Sequence, residues 1–393
     1  MPSWTFLLVS LSALWWAFQA VRLVRAAGSL PRVADMPRET RPAWPRLSIV
    51  IPARNEATHL ADAVQTRLAE GYPQLELVIV DDRSDDDTGA IADRLAAGDR
   101  RLAVVHVDAL PDGWLGKVHA MQQGLARASG EWVLFSDADI HLAPGTLERV
   151  VAWAEREGVD HVAALPSVTA RLTLEPVLAG FFRMLTTLLR LPAIADPRSD
   201  VAAGSGAFNL VRRSALDRSP GLEWLKMEIA DDFALGVMLK RSGARQAMVV
   251  GGRFVTLEFY PSYRVLVRSL ERTGANVSAP VVVAVIALLV ALELGWLVGF
   301  TEPGPATWLA LATYVVAAAT QFGASRWLGV PRWPALLPGV AIIPLGWTLV
   351  RSALLAWRRG GVVWRDTFYS TAVVRAGMRL GRRQPKMGSS RSS

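Results

Sequence analysis

Apolar and polar positions change their period along this chain, and the changes mark its elements. Residues 4–21 form an uncharged apolar stretch followed by Arg22, Arg25 and Arg32. That is the pattern of an uncleaved membrane anchor with its basic end, and the segment after it, in the cytoplasm. A cleaved signal peptide would carry basic residues before Trp4, and none is there. Residues 23–46, with Pro31, Pro37, Pro42 and Pro45 among charges, read as a linker. From residue 47 the period shortens. Strands over 47–51, 75–80, 102–107 and 132–135 alternate with helical stretches ending near residues 70 and 128, and each strand runs into a polar turn. Strand, turn and helix in repetition predict an α/β fold with a mostly parallel sheet, whose ligands gather at the carboxyl ends of the strands. A helix over 148–157, a strand over 160–166 and a helix over 228–241 extend the domain to about residue 275.

Residues 172–191 are helical and apolar, but Glu175, Arg183 and Arg190 interrupt them too often for a span. An amphipathic helix in the membrane interface and a buried core helix fit equally. Three further apolar stretches, 279–300, 306–325 and 335–357, are each long enough to span, giving a C-terminal membrane region over 276–358 and a basic tail over 359–393. Glu293 inside the first would cost about 2.5–3.5 kcal/mol if ionised and alone, so it is expected to be paired, protonated or near the outer surface. Three full spans would leave the Arg-rich tail outside. Pro338 and Pro344 therefore mark the last stretch as a re-entrant or broken helix that returns the tail to the cytoplasm. Residues from 377 onward are basic and Ser-rich, a disordered composition.

Composition agrees with this division. The 393 residues are 51% hydrophobic with a net charge of +8, too apolar for an average soluble enzyme and too charged for a pure membrane bundle. Much of the Arg flanks the apolar stretches, where it orients a membrane protein, so the charge does not point to nucleic acid. There is no cysteine, which excludes disulfides, thiol catalysis and cysteine-bound metal.

Candidate chemistry lies at the strand ends. In extended chain, residues i and i+2 share a face about 6.6 Å apart, so Asp137 and Asp139 after strand 132–135 can hold a divalent cation against a diphosphate; an ordinary polar turn uses the same residues. Asp82 either meets a ligand or caps the next helix. Lys117 opens a helix against its dipole, which suits a phosphate, though a solvated lysine is equally open. Glu228, Asp231 and Asp232 stand at a helix start, where acids stabilise the dipole, yet three in five residues exceed what capping requires. Gly204 belongs to a Gly-rich loop, 203–209, that positive φ alone would explain. Arg264, Arg268 and Arg272 form one helical stripe that can clamp a diphosphate, meet anionic lipid headgroups or simply be solvated.

The run Ile51-Pro52-Ala53-Arg54-Asn55-Glu56, the run Val80-Asp81-Asp82-Arg83-Ser84-Asp85-Asp86-Asp87-Thr88, Gly116-Lys117 and Asp137-Ala138-Asp139 together resemble the family 2 glycosyltransferases, inverting enzymes with the nucleotide-sugar-binding GT-A fold. The resemblance covers residues 47–275. Membrane-bound members acting on lipids, such as the hopanoid-associated, carotenoid and ceramide glycosyltransferases, are the nearest in pattern through Gly113-Trp114-Leu115-Gly116-Lys117 and the flanking apolar stretches. It implies that Pro52, Arg54 and Glu56 shape the nucleotide pocket, that Asp82 contacts base or ribose, that Asp137 and Asp139 face ribose and a Mg²⁺ or Mn²⁺ ion, and that Gly204 adjoins the acceptor. Asp232 inherits the catalytic base, with Asp231 where the family has Glu. The processive synthases' Gln-x-x-Arg-Trp is missing: Arg268-Ser269-Leu270-Glu271-Arg272-Thr273 lacks both Gln and Trp, which argues against a polysaccharide synthase. The implied partners are a nucleotide sugar, a lipid acceptor and a membrane, with the catalytic domain in the cytoplasm at a bacterial inner membrane. A non-catalytic membrane scaffold would have no use for acids at four strand ends.

Overall fold

A computed structural model describes residues 4–275, 278–301, 303–364 and 367–380. The chain falls into two compact units, one of residues 30–167, 191–257 and 377–393, the other of residues 1–29, 168–190 and 258–376.

The first unit is α/β. Its strands are β1 (Leu47–Ala53), β2 (Leu75–Asp82), β3 (Leu102–Val107), β4 (Trp132–Phe135), β5 (His141–Leu142), β6 (His161–Thr169), β7 (Asn209–Arg212) and β8 (Gln246–Glu258). They form one sheet in the order β3-β2-β1-β4-β7-β6-β8-β5. The β1–β2, β2–β3 and β1–β4 pairs are parallel. β7 enters antiparallel between β4 and β6, and β5 pairs antiparallel with β8. Every residue of β1 and β2 is buried, as a parallel strand covered on both faces requires, and this is why both read as unbroken apolar runs. Pro52 lies beyond the last β1–β4 partners, Val50 and Phe135, where β1 has lost one neighbour and a residue without an N–H is tolerated. Ser48, buried in β1, accepts the Gly130 N–H at 2.7 Å and donates to Glu76, so the polar interruption is satisfied. Ile49, Ile51, Leu77, Ile79, Leu134 and Phe208 belong to the core around it.

The elements follow the sequence pattern with local shifts. β2 extends two residues past its expected end and takes Asp81 and Asp82 into the strand. The helix expected from Glu228 begins only at Asp231, because the chain bends at Ile229 and Ala230, where Ala230 has non-helical backbone angles of φ −95° and ψ 64°.

The second unit is helical, apart from a hairpin of β9 (Gly361–Trp364) and β10 (Thr367–Ser370). Among the described residues two helices are long and apolar enough to cross a membrane, Trp4–Ser29 with mean hydropathy 1.6 and Ala279–Phe300 with 2.7. The first runs seven residues beyond Arg22, into the stretch read as linker, because nothing between Leu23 and Ser29 breaks a helix. Of the three C-terminal stretches read as long enough to span, the first coincides with the second of these two helices. The helix Pro305–Leu328 is long enough but diluted by Thr, Gln and Ser. The third stretch is interrupted at residues 337–341, between a 3-10 turn at Trp333–Leu336 and the helix Ile342–Arg359, and Arg351 in that helix pairs with Glu271 at 2.6 Å.

Glu293 is paired. Arg183, on the helix Glu175–Leu188, reaches it at 2.7 and 3.1 Å, while Trp15 and Gln19 donate to the same carboxylate at 2.8 and 3.0 Å. Arg183 also donates to Gln321 and lies 4.6 Å from the Trp16 ring. Both charges are buried. The helix over Glu175–Leu188 is thus a core helix of its unit on the face that carries Arg183. Of the tail read as disordered from residue 377 onward, residues 377–380 are instead ordered, with the Leu380 N–H donating to the buried Glu228 at 2.9 Å and Gly377 packed on Met227; the rest lies outside the described residues.

Candidate active site

The cleft at the carboxyl ends of β1 and β4 is lined by Pro52, Lys117, Ser136, Asp137, Gly206, Asn209, Asp231 and Asp232. Lys117 holds it together. The helix Gly116–Arg127 begins one residue earlier, and its first turn lowers the ammonium between Asp137 at 2.8 Å and Asp231 at 3.0 Å. Burial pulls this ammonium's pKa down, but the charges of Asp137, Asp231 and Asp232 outweigh it, so the group stays protonated above its ordinary value. Lys117 therefore ties two carboxylates, one after β4 and one at a helix start, into a single polar cluster.

Asp232 faces the same cleft. Its two oxygens accept N–H groups, one from Gly206 at 2.9 Å and one from Phe233 at 2.8 Å, and the side chain remains partly exposed. Glycine is needed on both sides of this contact. A Cβ at Gly206 would sit 2.5 Å from the Asp137 carboxylate, and one at Gly204 would sit 2.5 Å from the Asp232 carbonyl oxygen. The Gly-rich loop thus brings backbone against two carboxylates, where any side chain would separate them.

Asp82 lies at the end of β2, fully buried. One oxygen accepts from Arg83 at 2.8 Å, and the other has no hydrogen-bond partner. The helix after it starts at Thr88 with Asp87 at its cap, so Asp82 is not a helix cap. A buried orphan acceptor at a strand end is a ready place for a ligand hydroxyl or N–H. The two loops flanking it are laced together: Asn55 accepts from the Asp85 N–H at 2.8 Å, and the Glu56 N–H donates to Thr88 at 2.8 Å. Asn55 and Arg83 both have φ of 56°, the left-handed turns that this lacing demands.

The residues present suit an oxygen-seeking cation shared with a diphosphate, and not an all-protein metal cage. Among the described residues no group of three His, Asp or Glu is placed to hold a metal. Asp137 and Asp139 supply oxygen only, the donor set that Mg²⁺ or Mn²⁺ takes when phosphate oxygens and waters complete its shell. Burial and the neighbouring Asp137 charge hold the Asp139 carboxyl above its ordinary value, the electrostatic condition that a cation would relieve. His141 is half-buried in β5, and burial and Arg67 push its pKa down.

Arg268 is on the helix Tyr263–Ser269 of the second unit; the Arg272 side chain lies outside the described residues. Arg54 is half-buried, with its Nε lacking a partner. Arg67 went unrecognised in the sequence. It is fully buried and donates to Ser136 at 3.1 Å and to the Asp137 carbonyl, fixing the turn that carries Asp137 and Asp139. Burial lowers its pKa to about 10, against the pull of Asp139 and Asp137, so it keeps its charge. The signal was there: Leu60, Val64 and Arg67 share one helical face, and a cation on a buried stripe needs a reason.

Residues 48–219 match the sequence model of the family described as Glycosyl transferase family 2. That span holds Asp82, Lys117, Asp137 and Gly206, so the stretch of chain that carries the cleft is similar to the family 2 glycosyltransferases. It is 32% identical over 208 residues to the beta-monoglucosyldiacylglycerol synthase of Trichormus variabilis, a match covering 50% of this chain and 42% of that one. Over 118 residues it is 32% identical to the GalNAc(5)-diNAcBac-PP-undecaprenol beta-1,3-glucosyltransferase of Campylobacter jejuni, covering 30% and 37%. The chain thus spans less than half of the length of either relative. A mannosyltransferase of Pyrobaculum calidifontis solved with GDP-Man and Mn²⁺ aligns over 90% of this chain and 98% of its own at 19% identity and a TM-score of 0.49, too remote to bear on fold or ligand.

Proposed function

We propose that this protein is a membrane-anchored, metal-dependent, inverting glycosyltransferase of GT-A type that moves a sugar from a nucleotide donor to a lipid acceptor. The observation that carries this reading is the convergence of Lys117, Asp137, Asp231 and Asp232 on one cleft beside a buried, unpartnered Asp82 oxygen. Names of the relatives point to lipid-linked acceptors, a diacylglycerol in one and a polyprenyl diphosphate in the other. Two helices apolar enough for a bilayer support a membrane location, with the α/β unit in the cytoplasm by the basic flank after residue 21.

In this reading Asp82, with Pro52, Arg54 and Glu56, seats the nucleoside, and Asp137 and Asp139 would hold the cation. That cation supplies charge neutralisation for the departing diphosphate. Lys117 keeps Asp137 and Asp231 together and adds positive charge beside the same phosphates. Asp232 accepts the proton of the acceptor hydroxyl as the hydroxyl attacks the anomeric carbon from the face opposite the diphosphate. Gly204 and Gly206 let the loop beside the acceptor close on Asp232 and Asp137. Asp232 fits the base better than Asp231, because Asp231 is committed to Lys117 while Asp232 is bound only by amide N–H groups and is partly open.

The test separates base from binder. Purified protein is assayed with a panel of radiolabelled nucleotide sugars and a bacterial lipid extract, and the active donor is then used for the variants. Asp232→Asn keeps shape and removes the proton acceptor, so turnover should fall about 10²–10⁴-fold with donor affinity unchanged. Asp82→Asn should weaken donor binding instead. Near-normal turnover in Asp232→Asn at saturating acceptor would refute the assignment.

A further inference from the structure

Glu228 does not join the carboxylates of the cleft, although it stands three residues before Asp231. It is fully buried, and one of its oxygens accepts the backbone N–H groups of Arg379 and Leu380, the latter at 2.9 Å, from 151 and 152 residues away. A carboxylate buried at a loop and spent on the main chain of the C-terminal segment is a clamp, since charge-assisted bonds of this kind are the strong ones. Close packing accompanies it. A Cβ at Gly377 would lie 2.5 Å from the Met227 Cβ, so that segment presses on the loop where only glycine fits.

The same loop is held at its other side by the site. The Lys226 carbonyl accepts the Leu115 N–H at 2.7 Å, immediately before Gly116 and Lys117. Trp224 and Leu225 are buried, and the chain then enters the helix whose first two residues, Asp231 and Asp232, bind Lys117 and Gly206. Between the C-terminal segment and the candidate base there are thus three residues of chain, anchored at both ends.

We propose that Gly377–Leu380 is a strap that sets the position of Asp231 and Asp232 through Glu228, making Glu228 a positioning residue for the transfer reaction. The inference rests on the proposed transferase activity, and it assigns a catalytic consequence to the C-terminal segment. Without the strap the loop keeps its fold but gains freedom at Glu228, and the base drifts from the acceptor hydroxyl. The donor seat at Asp82, Asp137 and Asp139 is carried by β2 and β4 and is left in place.

The test uses the full-length protein in detergent or vesicles, a variant ending at Ala376, the single variants Glu228→Ala and Glu228→Gln, and a synthetic peptide of residues 377–393. Deletion and Glu228→Ala should each lower kcat about 10–100-fold, the scale of a 1 Å misplacement, with donor affinity within about twofold of the parent. Glu228→Gln, which keeps an acceptor oxygen, should lose less. The peptide should restore the deletion variant and fail to restore Glu228→Ala, and combining deletion with Glu228→Ala should cost no more than either alone. Unchanged kcat on deletion, effects that add, or loss of donor affinity in step with kcat would each overturn the proposal. Amide hydrogen exchange over residues 222–233 is read in parallel: it should accelerate in both variants, and unaltered exchange overturns the strap. If the parent transfers no sugar from any donor, the transferase reading has failed, and exchange still decides whether the strap holds the loop.

Discussion

Gly116→Ala makes the sharpest single test of the donor seat. The glycine opens a helix with an ordinary φ, so the backbone accepts alanine, and alanine is favoured in a helix by about 1 kcal/mol. Its Cβ, however, would stand 2.4 Å from the Asp82 oxygen and 2.8 Å from an Arg83 nitrogen, where ordinary contact begins at 3.4 Å. Arg83 has a long side chain that can swing aside. Asp82 has not: it is fully buried, and its other oxygen is bound by the Arg83 Nε. The carboxylate must therefore retreat by about 1 Å, a displacement that costs binding and chemistry about 10²-fold where geometry matters. Overpacking of this size destabilises by about 1–3 kcal/mol, offset by at most about 1 kcal/mol of helix gain, so the fold should survive with a melting temperature lowered by no more than several degrees. Calorimetric titration of the donor nucleotide against parent and variant, with Gly98→Ala as control in open space, reads the effect directly. Donor affinity within threefold of the parent in Gly116→Ala would show that Asp82 does not touch the nucleotide.

Two further outcomes follow from the same structure. Chelation with EDTA should weaken donor binding and Mg²⁺ or Mn²⁺ should restore it, while in Asp139→Ala neither treatment should change affinity; an unchanged affinity of the parent in EDTA would remove the cation from the cleft. Glu70 offers a pH test away from the site: burial raises its carboxyl from 4.5 to about 7, so the folded protein holds a proton that the unfolded chain has released. Stability from this group is intact below pH 4.5 and declines as pH rises to about 7, by about 3 kcal/mol in all, and Glu70→Gln should flatten thermal stability across that window.

The strands β1, β2 and β4 were legible because they are buried along their length and so appear as largely unbroken apolar runs that end in polar exit turns. β7 was not, in one respect: a strand's place and direction in a sheet depend on pairing across distant sequence, and nothing local in Asn209–Arg212 announces an antiparallel insertion between β4 and β6. Motifs singled out Asp82, Lys117, Asp137 and Asp232 in the sequence, and the fold brings Lys117, Asp137 and Asp232 to one cleft. Lys117 was expected to serve a phosphate; its partners here are carboxylates that its own segment does not contain. Glu228 looked like one of three helix-start acids, and only the fold shows it turned away to the C-terminal main chain. The C-terminal helices were read from apolar length, which overlooks that Thr, Gln and Ser dilute Pro305–Leu328 and that Arg351 has a partner in Glu271.

The pairing of Arg183 with Glu293 also has a history within each molecule's synthesis. The two residues are 110 positions apart, which a ribosome covers in about 5–20 s. For that interval the helix Glu175–Leu188 exists with a cation on its inner face and no anion to meet it. When Ala279–Phe300 emerges it carries the missing charge, and burying either charge alone is opposed by several kcal/mol that the pair relieves. The earlier helix must therefore keep Arg183 in water until its partner is made. Removing Glu293 would leave Arg183 without its anion for good, so such a chain should complete this unit less readily than the parent.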